Sequence, residues 1–242
     1  LQSRITILHF FDGFRTSHEI ARINEVDEAT ARAMIDEALI AEHRARALGP
    51  EHTVIRGTSQ NPDVYFQARE SVNAYYMEMT KISQGWMDHI PELTGRQYNL
   101  FEYSGAEEAE RVIILMGSGV ETVIETLEQL NRAGERICVL AVRLYRPFDE
   151  ALCITTLPAT TRALAVLDRT QEPGADGEPL YKDIATALMQ QCAAGKAPFK
   201  QIQTLLGGRS GLSPKAFPPG KMMGDCGALI RRDVNKGFTF GH

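Results

Sequence analysis

One stretch limits the folds open to this chain more than any other, residues 111–148. Val112 to Met116 is a continuous apolar run of mostly branched side chains, the pattern of a strand buried on both faces. Gly117-Ser118-Gly119 breaks that run. Val120, Val123, Ile124, Leu127 and Leu130 then recur at helical spacing and give the segment one apolar face. Ser118 and Glu121 stand at capping-box spacing, and Gly134 is placed to stop the helix. A second apolar run, Ile137 to Val142, ends at Arg143-Leu-Tyr-Arg-Pro-Phe148. Two parallel strands need a crossover of this length between them. The stretch therefore predicts a β-α-β unit and a Rossmann-like layer.

The flanking sequence extends the pattern. Residues 4–11 read as a buried strand, closed by Asp12-Gly13. Residues 27–48 read as one helix ending at Gly49-Pro50, and residues 51–64 as a polar connector. Over residues 65–90, Met79, Ile82, Trp86 and Ile90 are three or four apart. That spacing predicts a helix whose Met and aromatic stripe is core rather than a cofactor box. Thr94-Gly95-Arg96 ends it, and Tyr98 to Tyr103 is a short strand candidate. Beyond the central unit, residues 149–158 predict a short helix, Ala163–Leu167 a third buried strand and residues 178–193 an amphipathic helix. From residue 194 the organisation weakens. Gly207-Gly-Arg-Ser-Gly-Leu212 and Phe217-Pro-Pro-Gly220 read as loops, and Gly237–Gly241 as the start of another strand.

Composition excludes several classes. A formal charge of -5 over 242 residues argues against a nucleic-acid binder. No apolar run approaches the ~20 residues of a membrane span. The opening Leu1-Gln2-Ser3-Arg4 carries neither Met nor a secretory leader and reads as the middle of a longer polypeptide. Cys138, Cys153, Cys192 and Cys226 are too far apart for metal or cluster ligation of the CxxC kind. They read as unrelated reduced thiols.

Three groups carry candidate chemistry. Gly117-Ser118-Gly119 invites a phosphate-binding reading, hence a stand-alone NAD(P) site. The dinucleotide fingerprint needs a third glycine and an acid after the second strand. This chain has Thr122 and Arg143 there, so a tight turn or subunit contact is the preferred reading. Arg143 and Arg146 with Asp168 and Arg169 follow two successive strands, so they lie on one sheet edge, where open α/β sheets bind ligands. They can serve a ligand or pair internally. Arg15, Thr16, Ser17 and His18 combine a cation, two hydroxyls and an imidazole. That set can bind an anion and move a proton, or cap a following helix through Thr16 or Ser17. No P-loop, GxSxG or HExxH occurs. Gly224-Asp225-Cys226 has only part of a thiamine diphosphate–magnesium motif and is discounted.

Six ordered motifs carry a resemblance across residues 5–220. They are Phe11-Asp-Gly-Phe-Arg-Thr-Ser-His-Glu19, Arg56-Gly-Thr-Ser-Gln-Asn-Pro-Asp-Val-Tyr-Phe-Gln67, Leu93-Thr-Gly-Arg96, Glu110-Arg-Val-Ile-Ile-Leu-Met-Gly-Ser118, Val142-Arg-Leu-Tyr-Arg-Pro-Phe148 and Leu167-Asp-Arg-Thr-Gln-Glu-Pro-Gly174. Together they resemble the pyruvate:ferredoxin (flavodoxin) oxidoreductases; the pyruvate:NADP⁺ oxidoreductases fit equally. Residues 214–237 follow the family less closely.

The resemblance implies an α/β fold: a Rossmann-like three-layer sandwich similar to the transketolase C-terminal domain, preceded by the end of a thiamine-diphosphate-binding-type α/β domain. It implies residues 1–50 as the end of a pyrimidine-binding-type domain I and 51–69 as a linker. Residues 70–205 become domain II, and 206–242 a connector to domain III. It implies a parent enzyme that oxidatively decarboxylates pyruvate with coenzyme A to acetyl-CoA and CO₂, using thiamine diphosphate, Mg²⁺ and [4Fe-4S] clusters. None of these cofactors is expected on this segment alone, and no metal site or catalytic residue is assigned within it. Arg15, Thr16, Ser17, His18, Arg143, Arg146, Asp168 and Arg169 are the residues expected near substrate, cofactor or domain interfaces. Expected partners are the remaining parent domains, a second copy in a homodimer, and ferredoxin or flavodoxin, in the cytoplasm or an anaerobic-type organelle. Neither nucleic acid nor membrane is expected. The competing reading is a non-catalytic assembly or docking module, such as a degenerate copy in a sulfite reductase flavoprotein subunit.

Overall fold

The computed structural model describes residues 1–13, 15–18, 20, 22–54, 58–211 and 238–240. Two compact units emerge, Leu1–His9 with Ala21–Asn99 and Phe10–Ile20 with Leu100–His242. A short helical turn, α1 (Arg15–His18), belongs to the second.

The first unit is helical, with α2 (Glu28–Ala33), α3 (Glu37–Ala45), α4 (Pro62–Ser71) and α5 (Asn73–Thr94). The single helix predicted over 27–48 is two helices. Asp36 divides them, because its carboxylate accepts from the N–H groups of Ala38 and Leu39 at 2.9 and 3.2 Å and so starts α3 afresh. Asp27 starts α2 in the same way through Thr30 N–H at 2.7 Å. Met34 closes α2 and Asp36, two residues on, caps α3, a break the apolar spacing alone does not show. Pro62 sits at the first turn of α4, where its missing N–H costs nothing. The helix predicted over 65–90 is two, α4 and α5, which meet at Val72; the Met79, Ile82, Trp86 and Ile90 spacing lies on α5, closed by Gly95 in the left-handed conformation. Met79 is buried, and the Trp86 indole donates to Gln2 at 3.0 Å.

Residues 4–11 do not form a strand. Ile7, Leu8, Phe10 and Phe11 are 63%, 83%, 66% and 64% exposed. A strand has no hydrogen bonds of its own and forms only beside a partner. Its apolar content records a buried environment that residues 4–11 do not find among the described residues.

The second unit is built on a six-stranded sheet in the order β1-β3-β2-β4-β5-β6. The strands are β1 (Phe101–Gly105), β2 (Arg111–Leu115), β3 (Ile137–Val142), β4 (Ala163–Asp168), β5 (Thr204–Ser210) and β6 (Phe238–Phe240). All neighbours are parallel except the β1–β3 pair. Three helices connect the parallel strands, α6 (Gly119–Arg132), α7 (Glu150–Thr155) and α8 (Pro179–Ala193). Val112 to Leu115 and all of β3 are buried, as their unbroken apolar runs require.

The chain steps from β2 to β3 one way, then back past β2 to β4 and onward to β5. Right-handed crossovers then place α6 on one face and α7 with α8 on the other, a three-layer sandwich. Packing agrees. Val123 and Leu127 of α6 join Ile113, Leu115, Val139, Ala165 and Leu167 in one core, while α7 lies against α8 and α8 against β4. Strand alternation turns Val112, Ile114, Leu140, Leu164 and Val166 to the opposite face.

Two readings of this unit need correction. The Ser118–Glu121 capping box does not form: Ser118 is in helical conformation and makes no cap hydrogen bond. Gly207-Gly208-Arg209-Ser210 is strand, not loop, paired in register with Val166–Asp168 and beyond. Its glycine is there for space. A Cβ on Gly207 would sit 2.9 Å from the Tyr181 ring, so the strand passes beneath an aromatic only because residue 207 has no side chain. Gly224-Asp225-Cys226 lies outside the described residues. No described helix is long and apolar enough to cross a membrane.

Candidate functional site at the switch point of the sheet

Strand order reverses between β2 and β4. In an open parallel sheet that reversal leaves a crevice beyond the strand C-termini. The turns that border it here are Met116–Ser118 after β2 and Arg169–Gly174 after β4. Both were candidate regions from sequence, and the structure joins them through a residue the sequence did not mark, Asp12.

One oxygen of Asp12 is the focus. Asp12 Oδ2 accepts from Ser118 N–H at 2.8 Å and from the Ser118 hydroxyl. The Arg169 guanidinium closes on it at 2.9 Å and also donates to Ser118 Oγ at 2.9 Å. Arg169 Nε reaches the Gly211 carbonyl at 3.2 Å. The carboxylate thus occupies the start of α6, where free N–H groups and the helix dipole favour an anion. Gly117 has φ +84°, and a Cβ there would stand 3.0 Å from Asp12 Oδ2. Burial pushes the Asp12 carboxyl up, but the Ser118 donors and the Arg169 charge outweigh it, and the net shift is downward. Asp12 is held ionised, at the place a phosphate would take.

That geometry decides the nucleotide question for the Gly117–Gly119 turn. A dinucleotide or diphosphate would have to displace an ionised, three-fold hydrogen-bonded carboxylate. The residues present do not fit such a group, and the turn is spent on an internal contact.

The other candidates on this edge are also engaged. Asp168 accepts from Leu180 N–H at 3.0 Å and Tyr181 N–H at 3.2 Å. It caps α8 from the neighbouring strand, because Glu178, the residue at the cap position, makes no cap bond. Glu178 instead accepts from Glu172 N–H at 2.7 Å and pairs with Arg209 at 2.5 Å. Burial raises the Asp168 carboxyl, only partly offset by those two N–H donors. Arg146 pairs with Asp183 at 2.8 Å and lies 3.9 Å over the Tyr145 ring. Burial, the Asp183 hydrogen bond and its charge push the Tyr145 hydroxyl up to about 12. Arg143 pairs with Glu102 on β1. Arg143, Arg146, Asp168 and Arg169 each make an internal contact.

Arg15, Thr16, Ser17 and His18 form the α1 turn, three residues past Asp12. Ser17 Oγ lies 2.8 Å from His18 Nδ1. Thr16 and Ser17 sit inside the turn rather than capping α2, whose cap is Asp27. Asp12, Glu102, Glu178 and Asp183 escaped sequence reasoning as partners of these arginines and of Ser118 because those contacts span 31 or more residues.

Cys138 is a buried residue of β3 and Cys153 a buried residue of α7, and burial pushes both thiols up to about 12. A cluster or metal ligand is a thiolate, so these two positions suit packing. A cleft of about 1260 Å³ in the helical unit is lined by Ile35, Tyr75, Ile82 and Trp86 among others, and contains none of the eight candidates.

Residues 1–88 match the family model "Pyruvate flavodoxin/ferredoxin oxidoreductase, thiamine diP-bdg", and residues 109–212 match "Pyruvate:ferredoxin oxidoreductase core domain II". A pyruvate-flavodoxin oxidoreductase of Trichormus variabilis is 54% identical over 100% of the chain and 20% of its own length. The chain belongs to the pyruvate:ferredoxin (flavodoxin) oxidoreductase family. A pyruvate-flavodoxin oxidoreductase of Nostoc sp. is 50% identical over 100% of the chain and 58% of its own length. The pyruvate:ferredoxin oxidoreductase of Moorella thermoacetica is 43% identical over 100% and 20%. This family member thus spans about 20% of the length of several curated relatives. A solved 2-oxoglutarate:ferredoxin oxidoreductase from Magnetococcus marinus, with 2-oxoglutarate, coenzyme A and succinyl-CoA bound, overlays at TM-score 0.39 with 18% identity, over 72% of this chain and 25% of that one. That overlay is too loose to bear on the fold.

Proposed function

We propose that this chain is the part of a pyruvate:ferredoxin or pyruvate:flavodoxin oxidoreductase that joins the end of its thiamine-binding domain to its second domain, and that its role is structural and interdomain. The observation that carries this is the pair of family matches, in order, with 54% identity to a named pyruvate-flavodoxin oxidoreductase across the whole chain. The whole enzyme oxidises pyruvate with coenzyme A to acetyl-CoA and CO₂ and passes two electrons to ferredoxin or flavodoxin. Thiamine diphosphate with Mg²⁺ and iron–sulfur clusters supply that chemistry elsewhere in the protein. The engaged state of the switch-point edge fits such a division of labour.

On this reading residues 1–50 close domain I, 51–69 link, 70–205 form domain II and 206–242 lead to domain III. Arg15, Thr16, Ser17, His18, Arg143, Arg146, Asp168 and Arg169 face domain boundaries or the cofactor-proximal surface. The enzyme is a cytoplasmic homodimer.

The test uses the full-length protein that carries this sequence. Purified anaerobically, it contains thiamine diphosphate and reduces flavodoxin or ferredoxin with pyruvate only when coenzyme A is present. A preparation that binds no thiamine diphosphate and shows no CoA-dependent pyruvate oxidation refutes the proposal.

A further inference from the structure

We propose that Asp12 is a positioning residue, a carboxylate anchor that fixes the α1 turn carrying Thr16, Ser17 and His18 at the C-terminal end of the parallel sheet. The inference rests on the functional reading above for its catalytic consequence, but not for the anchoring itself.

Three features carry it. First, three donors from two separate turns converge on one oxygen, and they lie 106 and 157 residues along the chain from it. A junction of that kind sets position, because moving the carboxylate breaks all its bonds together. Second, the described apolar residues near the turn are exposed: Phe10 and Phe11 are 66% and 64% exposed and Ile20 is 105% exposed, so these three contribute little apolar packing. Third, the site is shaped for this contact. Gly117 leaves room for the carboxylate at a φ of +84° that side-chain-bearing residues rarely adopt. Gly13, next to the anchor, is in open space.

The reach of the anchor follows from chain length. Arg15 is three residues from Asp12, so the turn starts within about 10 Å of the anchored Cα even if the connection is fully extended. Released from Asp12, the segment keeps the same hydroxyls and imidazole but loses the tether to Ser118 and Arg169. On the functional reading above, these residues face a domain boundary or the cofactor-proximal surface, where misplacement by about 1 Å can cost about 10²-fold. The anchor therefore acts through Thr16, Ser17 and His18 and touches no substrate itself.

The test uses the full-length protein, with Asp12→Asn, Asp12→Glu and Ser118→Ala. Amide hydrogen exchange over residues 10–20 should rise at least about tenfold in Asp12→Asn, with thermal unfolding of the sheet unit retained. In the same variant kcat for CoA-dependent pyruvate oxidation should fall about 10- to 100-fold with thiamine diphosphate content unchanged. Asp12→Glu, which keeps the charge one methylene further out, should recover part of kcat. Ser118→Ala, which removes one donor and leaves the carboxylate, serves if Asp12→Asn does not fold, and should raise exchange over residues 10–20 by a smaller factor. Unchanged exchange in a folded Asp12→Asn, or in Ser118→Ala when Asp12→Asn is unfolded, overturns the anchor. Faster exchange with full kcat overturns its catalytic consequence. If the unaltered protein itself fails to oxidise pyruvate, the functional reading falls, and exchange alone decides the anchor.

Discussion

Removal of the Asp168 carboxylate should be the costliest single polar change at the sheet edge, with a pH dependence of defined sign. Asp168 is 5% exposed, and its two oxygens serve Leu180 N–H and Tyr181 N–H at the first turn of α8. Leu180 is fully buried, so no water replaces the lost acceptor. In Asp168→Ala two N–H groups lose their partner, each at about 1–3 kcal/mol when buried, less for the more exposed Tyr181. The sum is about 2–4 kcal/mol. Asp168→Asn keeps one acceptor oxygen and sheds a charge that burial penalises, so it should cost about 1 kcal/mol or less at neutral pH. Burial holds the folded Asp168 carboxyl above its ordinary value. A raised acid favours folding most below the unfolded value and loses that contribution as pH rises through the folded value. The stability of Asp168→Asn relative to the unaltered chain should therefore improve as pH rises from the ordinary carboxylate value through the higher folded one. Urea unfolding of the sheet unit at several pH values, with hydrogen exchange read at Leu180 and Tyr181, measures both effects. An alanine cost below about 0.5 kcal/mol, or an asparagine variant that loses ground as pH rises, would refute the capping account.

Three further outcomes follow from the same structure. Gly207→Ala pushes a methyl to 2.9 Å from the Tyr181 ring and should destabilise the sheet unit by about 1–3 kcal/mol in thermal unfolding; a neutral result would show that the ring moves freely. Iodoacetamide at pH 7.5 should modify Cys192, which is exposed, far faster than Cys138 and Cys153, which are buried and held protonated; peptide mapping reads the order, and equal rates contradict the burial. Leu140→Ala removes a fully buried side chain from the middle of β3 and should cost about 2–5 kcal/mol by urea midpoint.

The sheet was legible in sequence because its determinants are local. Unbroken apolar runs such as Val112–Met116 and Ile137–Val142 announce strands covered on both faces, and the spacing of Val123 and Leu127 announces the helix between. The failures have physical causes. Residues 4–11 carry the composition of a buried strand, but composition names an environment and not the partner that must supply it. Asp36 cuts a helix that apolar spacing runs straight through, because a single cap outweighs a periodic pattern. Gly207-Gly208 has loop chemistry by composition, yet it lies in a strand where Gly207 makes room for Tyr181. The site was half legible. Chain topology brings the turns after β2 and β4 to one crevice, and sequence could place Ser118 and Arg169 there. Nothing within 100 residues of Ser118 points to Asp12, so the reason no nucleotide belongs in that crevice appears only in three dimensions.

The Ser118 amide offers the most direct measurement of that claim. Its N–H donates to Asp12, so its NMR chemical shift reports the ionisation of that carboxyl. The Ser118 donors and Arg169 hold Asp12 below its ordinary value, so the amide should titrate below about 3.8 and only there in the acid range. The contribution of the pair to stability should be present above that range and disappear as pH falls through it. In Asp12→Asn the titration should vanish. A Ser118 amide that titrates at or above the ordinary carboxylate value, or one that titrates unchanged in Asp12→Asn, would contradict the account.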